Sequence, residues 1–246
     1  MHQKGLLTYA LNSIGNLVYI DEVDTGQLCN CYCPSCKEKL VAKNGGMKRV
    51  HHFAHASGVD CENAYETMLH QLAKLRVQEA FLSKEVFNVG FEYRSYCPHV
   101  KTCAFVRYGN CYISTHKRFN LKEFYDSCEQ EIQYDSINRR SDLKIFSSKK
   151  PQLAPIYIEF FVTHASDVSK LHNGGKIIEV KIESENDIQR IVDDGFIESS
   201  KCDSRLLEGI ESENISETTF WGFKSEDYDA KNITQEIEFS HSICIR

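Results

Sequence analysis

The sequence predicts a mixed α+β/αβ chain: an N-terminal β-hairpin module bearing paired cysteines and histidines, then an αβββαβ core with a cysteine-rich insertion. Three observations carry this expectation. The first is Cys33-Pro34-Ser35-Cys36, followed by His52-Phe53-Ala54-His55. Two thiols and two imidazoles at such short spacings suit a closed tetrahedral Cys2His2 zinc site, structural rather than catalytic. The second is the recurrence of Ala64, Met68, Leu72, Leu75 and Ala80 across residues 62–82, a helical period. The third is a set of strand-like segments at 141–146, 155–162 and 177–182, the second of them dense in Ile, Tyr and Phe.

Each element follows in order. Leu6–Leu11 and Asn16–Val23 bracket Ser13-Ile14-Gly15 and read as a β-hairpin leading into the zinc module. Gly45-Gly46 turns the chain after Leu40-Val41-Ala42, so that the second ligand pair folds back on the first. A CxxC redox pair is the alternative, but such motifs usually sit in a βαβ setting that is missing here. His51 is a spare imidazole, and Cys29 and Cys31 are spare thiols. Residues 85–93 alternate as a strand, and 121–134 read as a short helix with Asn120 as its cap. Ala165–His172 reads as a helix stopped by Asn173-Gly174-Gly175. Ser184 and Asp187 open a further helix by a capping pattern. The expected organisation is 1–60 for the zinc module, 61–197 for the core with its insertion at about 96–135, and 198–246 for an acidic extension with late strands.

Composition narrows the class. The chain of 246 residues, 41% apolar, can bury a sizeable core. It has no run of roughly 18 apolar residues and no apolar leader, which predicts a cytoplasmic protein without membrane association. Eleven cysteines form an odd number without an export signal, which favours metal ligands and reduced thiols over disulfides. The net charge of −6 hides a polarity. Residues 94–122 hold six bases and no acid, whereas residues 183–229 hold 14 acids against four bases. A basic front can bind a polyanion despite the overall sign, and the acidic end offers a surface for a protein partner. Lys101, Arg107, Lys117 and Arg118, interleaved with Tyr93, Tyr96, Phe105, Tyr108 and Tyr112, are the expected nucleic-acid contacts. Their neighbours Cys97, Cys103 and Cys111 offer a second zinc knuckle, with His99, Cys61, His116 and Cys128 in reach.

Two acids stand at strand positions where acids are unexpected. Asp142 opens one strand, and Glu159 interrupts Ile156-Tyr157-Ile158-Glu159-Phe160-Phe161-Val162. Burying a carboxylate costs several kcal/mol unless a cation or a proton compensates it. Two carboxylates on adjacent strands can share Mg2+ or Mn2+, and the ion then activates water against a phosphate. Glu66 at the start of the first helix is a third carboxylate on the same helical face as His70 and Lys74.

These residues together resemble the CoiA-like competence protein family, whose nuclease domain belongs to the PD-(D/E)xK superfamily. The resemblance rests on Cys33-x-x-Cys36 with His52-Phe-Ala-His55, on Glu66, His70 and Lys74, on Arg140-Ser-Asp142, and on Ile158-Glu159 through His164, with Lys170 and Ile177-Ile-Glu179 beyond. It implies a PD-(D/E)xK restriction-endonuclease-like core and a Mg2+-dependent nuclease acting on DNA rather than RNA. Asp142 and Glu159 would hold the metal and Glu66 would assist. One position departs from the pattern: the family has Lys or Gln two residues after the strand glutamate, where this chain has Phe161. Lys170, His164 or Thr163 can return a polar group to that place. Otherwise the chain is a catalytically inactive, zinc-containing accessory protein that binds nucleic acid or another protein.

Overall fold

In the computed structural model, residues 5–59, 61–96, 99, 102, 112–133, 140–163, 175–198 and 218–223 are described. Strands β1 (Tyr9–Leu11) and β2 (Leu17–Tyr19) form the expected antiparallel hairpin. The Asn12 side chain closes its turn by accepting from the Ile14 and Asn16 backbone, the Asx arrangement that makes Asn a turn residue. A second hairpin pairs β3 (Leu40–Lys43) with β4 (His52–His55), in register Leu40↔His55 and Lys43↔His52. Helix α1 (Ala64–Ser83) follows and buries Met68, Leu69, Leu72, Ala73, Val77, Ala80 and Phe81. Ala64, Met68, Leu72 and Ala80 of the expected stripe are buried, Leu75 is only half-buried, and Leu69, Ala73, Val77 and Phe81 widen the buried face at i, i+3 and i+4 spacings.

Strands β5 (Asn88–Tyr96) and β6 (Tyr112–Asn120) pair antiparallel. Then come β7 (Ser127–Gln133), β8 (Arg140–Phe146), β9 (Ile156–Phe161) and β10 (Lys176–Lys181). Helix α2 (Glu185–Asp194) precedes β11 (Phe196–Ile197) and β12 (Thr218–Trp221). Asp187 accepts from the Ser184 backbone and hydroxyl, so the capping pattern read in the sequence does start α2.

Two sheets result beyond the hairpins. One has the order β11-β5-β6, the other β12-β10-β9-β8-β7. In the second, β7–β8 and β8–β9 are antiparallel, β9–β10 parallel and β10–β12 antiparallel. The whole is a mixed α+β architecture with few helices and several sheets among the described residues.

Two expectations are corrected. Residues 121–134 are not a helix: Leu121–Glu123 is one 3-10 turn, capped by Asn120, and β7 begins at Ser127. Buried Cys128 beside exposed Glu129 follows a period of two, and pairing with β8 overrides the helix propensity of Glu and Gln. Strand β5 does not adjoin β8. It lies in the smaller sheet, and β7 takes its place as first strand of the larger one. The helix expected at 165–172, most of the segment 198–217 and the late strand at 237–246 lie outside the described residues.

One continuous apolar cluster runs through all of these elements. It joins Leu7, Ala10, Leu40 and Phe53 of the hairpins to Met68, Leu69 and Phe81 of α1 and to Leu143, Ile158 and Val180 of the larger sheet. The β3–β4 hairpin is therefore packed on the rest of the described residues.

Candidate metal centre and carboxylate row

The thiols of Cys33, Cys36 and Cys61 and the imidazole of His55 converge, their ligand atoms all within 4.8 Å of one another. Cys33 is fully buried and Cys36 exposed, with Cys36 Sγ 3.3 Å from His55 Nε2. The knuckle carrying the first two ligands is held by backbone bonds from Cys33 N to Glu38 O and from Lys37 N to Cys33 O. Lys37 there adopts a left-handed φ of 63°. Gly58, at φ 76°, turns the chain after β4, and Cys61 returns to the thiols just before α1 begins. Three thiols and an imidazole make a donor set that could hold a metal such as zinc.

His52 stays outside this cluster, and its Nδ1 faces the Val50 carbonyl at 3.0 Å. The reason is strand geometry. His52 and His55 stand three residues apart on β4, and side chains of a strand alternate between its faces, so both cannot face the same ion. The expected pair of imidazoles thus yields one ligand, and Cys61 completes the set. The sequence reading had placed Cys61 within reach of the second cysteine cluster. Period-two alternation along β4 is the signal that could have excluded one of the two histidines, though it does not point to Cys61.

The thiols differ in their electrostatics. Burial pushes the Cys33 thiol up to about 11. At Cys61 burial acts in the same direction, but hydrogen bonds from Ser35, the Asn63 backbone, Cys36 and Cys33 outweigh it and the net shift is downward. Of these two thiols Cys61 is thus the more readily ionised, and the thiolate is the form that binds a metal. Of the spare thiols, Cys29 donates to the Leu40 carbonyl and Cys31 to the Cys29 carbonyl. The spare imidazole of His51 is engaged by Asp21 and by the Gly46 carbonyl.

The second cluster is described only in part. Cys97, Cys103 and Cys111, with Lys101 and Arg107, lie outside the described residues. Cys128 is a buried core thiol on β7, pushed up to about 12 by burial. Lys117 and Arg118 are exposed on β6.

The acids of the larger sheet form a row. Glu179 on β10 pairs in register with Glu159 on β9. One step beyond the pair Leu143↔Ile158, Asp142 on β8 falls opposite Glu159. Glu131 on β7 falls opposite Asp142, between the pairs Gln130↔Leu143 and Ile132↔Ser141. Glu159 and Glu179 are buried, at 4% and 6% exposure, each flanked on both sides by apolar residues of its strand. The sequence marked Asp142, Glu159 and Glu179 but missed Glu131, because it read that segment as a helix.

Helix α1 lays its polar stripe over one end of this row. His70 Nε2 faces both the Phe160 carbonyl, at 3.2 Å, and Asp142 Oδ2, at 3.0 Å. Both are acceptors, so Nε2 carries the proton. Asp142 Oδ2 also accepts from the Phe160 backbone N–H at 2.8 Å. Lys74, buried, holds Glu131 at 2.7 Å, and Glu66 accepts from the Thr163 hydroxyl at 3.0 Å. The pairing with Lys74 draws the Glu131 carboxyl below its ordinary range. Among the described residues, no three carboxylates of this row approach as closely as the cysteine and histidine ligands do.

Phe161, at the departing position, has Lys181 beside it on β10. The Lys181 ammonium stands 2.9 Å from Glu183. Lys170 and His164 lie outside the described residues. No helix among the described residues is long and apolar enough to cross a membrane.

None of the curated proteins and none of the solved structures gives a match to the chain. Residues 20–64 match the family model described as competence protein CoiA, N-terminal domain. That stretch contains Cys33, Cys36, His55 and Cys61, the four converging ligands. The similarity to the CoiA-like competence proteins thus rests on this N-terminal stretch, the one that carries the four converging side chains.

Proposed function

We propose that the chain is a metal-dependent nuclease acting on DNA, with a structural zinc held by Cys33, Cys36, His55 and Cys61. The observation that carries the reading is that Asp142 and Glu159 fall opposite one another on neighbouring strands, one step beyond the last pair of β8 and β9, with His70 of α1 fixing the Asp142 carboxylate. With β5 and β6 set aside in their own sheet, α1 followed by antiparallel β7, β8 and β9 and then by parallel β10 is compatible with the αβββαβ core that the resemblance to PD-(D/E)xK nucleases implies, the second helix of which would fall in residues 164–174, outside the described ones.

The donors suit a hard divalent cation in kind, since both are carboxylates. Mg2+ or Mn2+, when bound, supplies polarisation of the phosphate and a more acidic water. The chain's own residues set the stage for that chemistry. His70 and the Phe160 N–H hold Asp142 in one orientation, and Glu66, anchored by Thr163, stands at the end of β9 as a further carboxylate. Lys170 or His164 would provide the positive or polar group that Phe161 does not. Exposed Lys117 and Arg118 on β6, together with Lys101 and Arg107, would neutralise backbone phosphates.

Phe161 favours a second reading, in which the same fold binds DNA without cutting it. Purified protein incubated with plasmid, linear and single-stranded DNA in Mg2+, Mn2+ or EDTA separates the two. The nuclease reading expects metal-dependent cleavage that disappears in Asp142→Ala and Glu159→Ala. Salt-sensitive binding without cleavage in any metal would instead establish the binding protein.

A further inference from the structure

We propose that Cys61 is a positioning residue: by sharing a metal with Cys33, Cys36 and His55 it ties the start of α1 to the N-terminal hairpin and sets where Glu66 and His70 stand. The proposal rests on the metal reading of the four ligands and not on nuclease activity.

Three observations support it. Cys33, Cys36 and His55 belong to the β3–β4 region, whereas Cys61 belongs to the turn that opens α1, so a shared metal is a joint between two elements. The Ala64 N–H bonds back to the Cys61 carbonyl at 3.2 Å, which couples the ligand directly to the first helical turn. That turn is otherwise weakly finished: Asn63, its N-cap, makes no side-chain capping bond. A helix start without a cap frays unless something else anchors it.

What the joint positions is the polar stripe of α1. Glu66 lies in the first turn and His70 one turn further, about 9 Å along the axis from Ala64 at 1.5 Å per residue. Fraying of the first turns would therefore release Glu66 from Thr163 first and His70 from Asp142 next. Packing also holds this region, through buried Met68, whose Sδ accepts from the Thr8 hydroxyl and the Tyr9 backbone N–H. The experiment must separate the metal from that packing.

Hydrogen exchange on the full-length protein does so, with metal content measured on the same samples. Wild type, Cys61→Ser, Cys61→His and Cys29→Ser are compared with saturating zinc and after chelation. Cys29 lies outside the cluster, so Cys29→Ser controls for loss of a thiol. The proposal expects amides of 64–70 to exchange about tenfold faster or more in Cys61→Ser and in chelated wild type, because local opening is released there. Cys61→His, which restores a ligand, should recover metal and protection together. If Cys61→Ser fails to fold, Cys61→His decides: metal bound without protection of 64–70 overturns the proposal. Wild-type protection unchanged by Cys61→Ser overturns it as well, while leaving the metal reading intact. Wild type that binds no zinc overturns the metal reading itself, and the joint with it.

Discussion

The Nε2 proton of His70 is shared between the Phe160 carbonyl oxygen and the Asp142 carboxylate, at 3.2 and 3.0 Å. A helix thus holds the acid of one strand against the backbone of the next. Because Asp142 also takes the Phe160 N–H, its carboxylate is fixed at the point where β8 and β9 stop pairing.

His70→Ala should therefore act on Asp142 rather than on the core. Loss of one bond at a partly exposed site is expected to cost about 1 kcal/mol of stability. Removing a partner that orients a ligand typically costs about 10- to 100-fold in metal affinity or activity. Calorimetric titration with Mn2+ and the cleavage rate would check this, and wild-type values for both would show that His70 only packs.

The two histidines of β4 should separate cleanly. His55→Ala is expected to lose the bound zinc and to destabilise the β3–β4 hairpin, since binding energy in such sites is folding energy. His52→Ala should keep one zinc per chain, because its ring lies on the other face of the strand. Elemental analysis of the two variants reads the difference directly, and equal loss in both would restore the expected Cys2His2 set.

The Lys74–Glu131 pair predicts a pH dependence. Its partner holds the Glu131 carboxyl below the ordinary value of 4.5. A depressed carboxylate contributes stability that is present above the unfolded value and is lost as pH falls through the folded one. Lys74→Met should accordingly lower the melting temperature at neutral pH and lose that difference as pH falls below 4.5 and through the depressed Glu131 value. The contribution should be under about 1 kcal/mol, since Glu131 is exposed and screened. A difference that persists unchanged in acid would assign the effect to packing of the buried lysine stem instead.

Lys170 and Lys181 are rival sources of the cation absent at Phe161. Lys181 stands beside Phe161 in register, with Glu183 engaging its ammonium. If Lys170 fills the role, Lys170→Ala should lower turnover sharply while leaving DNA binding unchanged, because the contact matters mainly in the transition state. Lys181→Ala should then leave turnover near wild type. The reverse result would transfer the role to β10.

By itself the sequence determined the local features. Periodicity placed α1, β8, β9 and β10, Ser184 and Asp187 marked the start of α2, and the Cys33/Cys36 spacing marked a metal knuckle. Each of these depends on residues within a turn or two of one another, or on a repeat that a single element imposes. Asp142 and Glu159 were visible for the same reason, as an acid opening one strand and an acid inside the apolar pattern of the next. The tertiary structure alone decided the rest. Residues 127–133 became a strand because β8 offers a pairing edge that outweighs their helix propensity. Glu131 joined the acids only through that register. Cys61, rather than His52, completed the metal set because strand alternation sends one imidazole away and the turn after β4 brings a distant thiol in. Ligand sets and carboxylate rows are gathered from several elements, and where those elements meet is fixed by pairing and burial, which no local pattern encodes.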